Sequence, residues 1–230
     1  MRDTRPTTSE MLLPQLPLFS VLNPTEASYL IAYTRQLQAL KGDRLFRKGD
    51  ACSGLHFVVY GQVKLAITSA GGTEKVMAIV GPGDSIGNDA LCSDKPYMTD
   101  GQVLTDTLLL HVGKTAILDV MERNPGLARR MLAEMSRRLH ELVSDVESIT
   151  FQSAKQRIIG YLARAQGEGT TDDGATITLE AAKGVIASRL NLTQEHFSRT
   201  LHELSNQGLI MVDGRRINIP SLSALRLHAA

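Results

Sequence analysis

Glutamate, serine and arginine spaced as Glu195, Ser198 and Arg199 have the chemistry to read DNA. An arginine holds guanine O6 and N7 with two hydrogen bonds, and a carboxylate accepts from cytosine N4. Glu195 and Arg199 lie one helical turn apart, within reach of adjacent base pairs, and the short Ser198 side chain between them lets a helix approach closely. The segment that carries them has a helical period. At about 100° per residue, Phe197, Leu201 and Leu204 share one stripe, while Glu195, Arg199, His202 and Asn206 share the opposite one. Thr193 suits the helix start and Gly208 its end. The same spacing fits an ordinary i,i+4 ion pair on a solvated face, with the glutamate favoured in the first turn. Taken alone, spacing leaves both readings open.

The flanking segments narrow the choice. Glu180 to Ser188 is a second short helical run, joined to the first by Arg189-Leu190-Asn191-Leu192. Two helices around a tight turn, the second with a polar outer stripe, predict a helix-turn-helix. Behind it, the apolar runs 208–212 and 215–219 flank Asp213-Gly214, a two-residue hairpin signal. A hairpin directly after such a helix is a wing. Arg215 and Arg216 at its tip suit phosphates, and Thr193, Lys183 and His202 are assigned to the same phosphate-facing surface.

Those readers need elements to aim them. Between about 40 and 112, short runs rich in Val, Ile, Leu and Phe alternate with glycine turns at Gly42, Gly49, Tyr60-Gly61, Gly71-Gly72 and Gly81-Pro82-Gly83. Strand-length segments at that spacing (Leu55 to Val59, Val63 to Thr68, Val76 to Val80, Val103 to Val112) predict a small antiparallel barrel or jelly roll. Leu12 to Ala39 is expected to pack helices on it, with Asn23-Pro24 as a helix start. Between the roll and the helix-turn-helix, Leu132, Met135, Leu139, Leu142, Val146 and Ile149 follow the spacing 3, 4, 3, 4, 3. That is an a/d seam, opened by Asn124-Pro125. It predicts a symmetric dimer; the competing possibility is a helix that packs this stripe on its own roll. Leu127, Ala128 and Met131 form a second stripe suited to face the roll. Two copies would set their reading helices about one DNA turn (~34 Å) apart on a palindrome.

At Glu195-x-x-Ser198-Arg199 the chain resembles the superfamily of the cyclic-AMP receptor protein and the fumarate-nitrate reductase regulator (Crp/Fnr). The run Glu195-His196-Phe197-Ser198-Arg199 with Asp213-Gly214-Arg215 looks closest to its dissimilatory nitrate respiration branch. The resemblance covers nearly the whole chain. It implies an α+β fold: an N-terminal β-jelly-roll of the cyclic-nucleotide-binding kind over 1–115, a dimerisation helix over 116–150 and a winged helix-turn-helix over 151–230. It also implies a bacterial transcription regulator, an activator with RNA polymerase as a partner, and inverted repeats of the TTGAT type as operators. A signal in the roll would then shift the packing of the paired helices and the spacing of the readers.

Residue by residue, the resemblance argues against cyclic AMP. The family's nucleotide cassette begins Gly-Glu-Leu and ends Arg-Ser/Thr, whereas this chain has Gly87-Asn88-Asp89 and Met98-Thr99. Asn88 replaces the ribose-binding carboxylate and Met98 the phosphate-binding arginine, while Leu142 and Val143 stand where the family places its adenine-binding Thr-Ser pair. A buried phosphate without a cation is strongly disfavoured. Asn88, Met98, Thr99, Leu142 and Val143 remain the effector-pocket candidates. An iron-sulfur cluster is not expected, since it takes about four thiolates and only Cys52 and Cys92 occur. The nitrate-respiration branch implies nitrogen-oxide sensing through haem, for which His56, His111 and His140 are the candidate ligands; against this, His56 and His111 read as core or rim histidines and His140 as a solvated helix position. Cys52 and His56 lack a third orienting group, and His56-Phe57-Val58 lacks the His-x-His of a cupin metal site, so no enzyme is expected.

Composition sets the remaining bounds. With 230 residues, 43% of them hydrophobic, the chain can bury one or two cores. Its net charge is +1, and from residue 151 on there are nine Lys/Arg against seven Asp/Glu. A DNA footprint must therefore be a placed patch, not a bulk field. No apolar run is long enough to span a membrane and no secretory signal leads the sequence, so a cytoplasmic protein is expected. The expectation is a homodimeric, sequence-specific DNA-binding regulator; the alternative is a ligand-binding sensor acting through protein partners.

Overall fold

Alternating apolar residues and glycine turns between 34 and 113 build a six-stranded antiparallel sheet in the computed structural model of the chain. Residues 9–165 and 174–228 are described by the structure; Glu168, Asp172 and Asp173 of the charge tally lie outside them. The chain divides into two compact units, residues 1–139 and 140–230.

In the first unit, α1 (Ser9–Leu12) leads through two 3-10 turns to α2 (Pro24–Ala32). The start of α2 is the one expected. Asn23 Oδ1 accepts from the Glu26 N–H at 2.9 Å, the Glu26 carboxylate accepts from the Asn23 N–H at 3.0 Å, and Pro24 takes the first helical position. The helical expectation for 12–39 overshoots, because β1 (Thr34–Ala39) follows at once. Its residues are mostly exposed and polar, and it is a strand because it pairs with a distant one, from Thr34↔Val112 to Ala39↔Thr107.

Next come β2 (Arg44–Phe46), β3 (Gly54–Thr68), β4 (Glu74–Val80), β5 (Ser85–Ile86), α3 (Asn88–Ser93) and β6 (Asp100–Gly113). The strand order is β1-β6-β3-β4, with β2 on β6 and β5 on β3. The turn expected at Tyr60-Gly61 is absent: β3 runs through it as one 15-residue strand. The register slips there instead, and Gly61 sits at φ +90° with the place of a Cβ only 2.2 Å from Thr107 Oγ1. Glycine alone fits this bulge. Two buried clusters follow from the sheet. One joins the strand residues Phe46, Val58, Val63, Ile86 and Leu109 to Tyr97 of the loop before β6. The other joins Phe57 and Leu110 of the sheet to Leu13, Phe19, Leu30 and Ile117 of the helical segments.

The segment 116–150 is not one helix, which corrects the boundary expected for it. α4 (Lys114–Arg123) ends at Asn124, and α5 (Pro125–Phe151) begins there. Asn124 is extended at φ −123°, its Oδ1 accepts from the Gly126 N–H at 2.9 Å, and its Nδ2 donates to Glu26 at 2.8 Å. One side chain thus starts α5 and ties it to α2. Leu127 and Met131 are buried in the second cluster, as the roll-facing stripe requires. The a/d stripe is not: Leu132 is 64% exposed, Leu139 61% and Val146 65%.

The second unit contains α6 (Ala154–Arg164), β7 (Ala175–Thr178), α7 (Lys183–Arg189), α8 (Gln194–Asn206), β8 (Met211–Asp213), β9 (Arg216–Ile219) and α9 (Leu222–Leu227). Its sheet runs β7-β9-β8. Ile158, Leu162, Ile186, Phe197, Leu204, Ile217 and Leu225 are fully buried in it. Among the described residues, no helix is long and apolar enough to cross a membrane.

Candidate nucleic-acid interface

Helix α8 is built at both ends as its sequence requires. Thr193 Oγ1 accepts from the His196 N–H at 3.2 Å. At the other end Gly208, at φ +71°, donates to Ser205 O at 3.0 Å, and Leu209 donates to Leu204 O at 3.1 Å. This pair of bonds with a left-handed glycine satisfies the last carbonyls, and buried Leu204 and Leu209 close the cap. Phe197, Thr200, Leu201 and Leu204 face the core; Glu195, Arg199, His202 and Asn206 face water, with Ser198 half-buried beside them. Among the described residues, neither the Glu195 nor the Arg199 side chain is held by an ion pair or hydrogen bond within the chain. The i,i+4 pair left open by the spacing is therefore not formed, and both groups are presented outward.

The first helix of the motif starts later than expected. Glu180 lies outside it, and α7 begins at Lys183, which is half-buried in the first helical position. The reason is the sheet: the Leu179 N–H donates to Arg215 O at 2.8 Å, holding residue 179 as extended chain. The turn Leu190–Leu192 places Asn191 at φ +57°, a conformation asparagine tolerates. Arg157 of α6 pins it, donating from Nη1 to Leu190 O at 2.8 Å and to Asn191 O at 3.3 Å.

The wing is present, with its turn one residue later than expected. Asp213 pairs with Arg216, so the two loop residues are Gly214 and Arg215, not Asp213 and Gly214. Gly214, at φ +57°, occupies the first loop position, where primed hairpin turns require positive φ. Arg215 is engaged inward: its Nε and Nη2 donate to Leu179 O at 3.1 and 2.6 Å. Arg216 is exposed. Below the wing, burial raises the Glu180 carboxyl above the usual carboxylate range, opposed by the charge of Arg189.

In the roll, the effector candidates separate. Asn88 starts α3 and its Nδ2 donates to Ser85 Oγ at 2.6 Å; Ser85 Oγ in turn donates to Glu134 of α5 at 2.8 Å. Met98 is 62% exposed, Thr99 is half-buried, and it is Tyr97 that turns inward to stack on Phe46 at 3.9 Å. Leu142 and Val143 lie on the part of α5 that belongs to the second unit, both exposed. Ser85, Glu134 and Tyr97 were not singled out by the sequence; no motif marks them.

His56 and His111 stand opposite each other on β3 and β6, 7% and 6% exposed, with ring centroids 4.8 Å apart in an edge contact. His111 Nε2 is 3.1 Å from Ser53 Oγ, and His56 Nδ1 is buried without a partner. So packed, the pair does not fit a planar macrocycle. His140 is exposed on α5. Among the described residues, no three His, Cys, Asp or Glu side chains are grouped to hold a metal ion.

Burial, with the charge of His111 second, pushes His56 down to about 4. The folded roll therefore refuses a proton that the unfolded chain accepts below about pH 6.5. The contribution of His56 to stability is intact above that value and is lost as pH falls towards 4, by up to ~1.4 kcal/mol per pH unit. Thermal unfolding followed between pH 7 and pH 4 is expected to show this slope, and His56→Gln to flatten it; an unchanged slope in the variant would remove His56 as its cause.

Two family models match this chain. Residues 36–124 match the cyclic nucleotide-binding domain, and residues 156–227 match the Crp-like helix-turn-helix domain. The chain belongs to the Crp/Fnr family of DNA-binding transcription regulators. Similar Crp/Fnr proteins include the cyclic AMP receptor protein of Thermus thermophilus, 26% identical over 209 residues, which span 91% of this chain and 94% of that protein. The crystal structure of DNR from Pseudomonas aeruginosa shares 26% identity, covers 99% of both chains and superposes with a TM-score of 0.51. FixK2 from Bradyrhizobium japonicum, at 20% identity and a TM-score of 0.76 over 86% of this chain and 98% of its own, has the same fold.

Proposed function

We propose that two copies of this Crp/Fnr regulator pair along the a/d stripe of α5 and set their α8 helices into the half-sites of an inverted repeat of the TTGAT type. The observation that carries this is α8 itself, a capped helix with one stripe buried and with Glu195 and Arg199 both outward and unengaged. Glu195 and Arg199 read base edges, and Ser198 tunes the adjacent step. Thr193, Lys183, His202 and Arg216 hold phosphates. Arg215, whose guanidinium is taken by Leu179 O, sets the base of the wing and leaves its tip to Arg216.

Pairing through α5 is supported by the exposure of Leu132, Leu139, Leu142, Val146 and Ile149, while Leu127 and Met131 on the neighbouring stripe are buried in the roll. The seam is thus unclaimed by the protomer's own core, as a dimer helix requires. Cyclic AMP is not the effector in this reading. Asn88 stands where the carboxylate is needed, and Met98 brings no cation and faces water. The nitrogen-oxide signal rests on the resemblance alone and has no residue assigned to it. A regulator that reads DNA and meets RNA polymerase works in the cytoplasm.

Selection of duplexes from a random library by the purified protein, with and without cyclic AMP, tests the reading. One enriched inverted repeat, the same in both arms, is the expected result. Enrichment of no palindrome would favour a sensor acting through protein partners, and enrichment only with cyclic AMP would overturn the effector assignment.

A further inference from the structure

The C-terminal part of α5 and the helix-turn-helix lie in the same compact unit, and a charge pair joins them. Asp145 sits between the seam residues Leu142 and Val146, one position off the stripe. Its Oδ2 accepts from Arg189 Nη1 at 2.5 Å, with both side chains more than two-thirds buried. Arg189 is the last residue of α7 and directly precedes the Leu190–Leu192 turn that starts α8. On its other side the Arg189 charge acts on Glu180, which hydrogen-bonds Tyr161 of α6. Arg157 fixes the same turn from α6. A guanidinium suits this place, since its planar fork can serve two acidic neighbours in one fixed orientation.

The consequence is directional. In the dimer of the preceding section, on which this inference rests, the seam fixes the direction of each α5. The orientation of α8 about the two-fold axis is then set by what fastens the helix-turn-helix to α5. We propose that Asp145, through Arg189, is a positioning residue that determines the distance between the two recognition helices, and so the half-site spacing that the regulator accepts. It touches no base. Its loss changes which spacing is read, not which bases are read.

Competition binding of the full-length protein at fixed salt, on inverted repeats whose central spacer is shortened or lengthened by one base pair, reads this out. The wild-type protein is expected to prefer one spacer. Asp145→Asn is expected to reduce that preference at least about fivefold, the upper end for exposed pairs, because this pair is mostly buried, while its discrimination at the guanine facing Arg199 and its dimer mass stay unchanged. Asp145→Glu, which keeps a carboxylate for Arg189, is expected to keep the wild-type preference. A folded Asp145→Asn dimer with the wild-type spacer profile overturns the inference. Should that variant fail to fold, the neutral pair Asp145→Asn with Arg189→Gln decides, and a folded dimer of it with the wild-type spacer profile overturns the inference equally. A wild-type protein indifferent to spacing contradicts the pairing reading itself, which separates the two failures.

Discussion

Leu142→Glu combined with Val146→Glu is expected to leave a folded monomer that binds a full inverted repeat ~10²–10⁴-fold more weakly, the scale on which a second tethered site strengthens binding. Both side chains are exposed in the protomer, so the substitutions open no cavity and bury no charge within one chain. In the pair they place four carboxylates along one apolar seam, where desolvation costs several kcal/mol per ion. Sedimentation velocity gives the mass, and thermal unfolding by circular dichroism shows that each protomer keeps its own stability. A variant that remains dimeric and binds with wild-type affinity would remove α5 from the interface.

Arg199→Ala is expected to relax specificity at one base pair by ~1–3 kcal/mol and to leave the other positions of the half-site as they were. The two hydrogen bonds of a guanidinium to guanine are lost in one place, and no other group on α8 can replace them. Arg216→Ala is the contrasting case. A phosphate contact carries no base information, so all sequences should weaken alike, and the slope of log affinity against log salt should fall by about one. Binding measured on single-base operator variants at two salt concentrations separates these patterns. If Arg216→Ala alters base preference while Arg199→Ala weakens every sequence equally, the two roles are reversed.

The recognition helix was legible because every signal for it is local. Thr193, the Phe197-Leu201-Leu204 stripe and Gly208 are all contained within four turns of chain, and the structure uses each for the purpose its chemistry suggests. The a/d stripe was legible for the same reason, although periodicity alone did not say whether the roll or a second copy covers it; Leu132 and Leu139 stay exposed in the protomer. β1 and β7 were not legible. Thr34-Arg35-Gln36-Leu37-Gln38 and Ala175-Thr176-Ile177-Thr178 carry little apolar signal, and they are strands because β6 and β9 lie beside them. The wing turn moved by one residue because Gly214 is needed at the first loop position, with Arg215 drawn to Leu179 O. The polar contacts that organise the sites escaped the sequence altogether. Ser85 meets Glu134 across 49 residues and Arg189 meets Asp145 across 44, and only the fold brings such partners together.

The pairing of two α5 helices to aim two α8 helices is tested most directly by stoichiometry and affinity on matched DNA. Mass photometry and titration would compare the selected inverted repeat with a duplex holding only one of its halves. Two protomers on the full repeat, with the half-repeat bound at least ~100-fold more weakly, is the expected result. A single protomer that holds the half-repeat as tightly as the whole would contradict it.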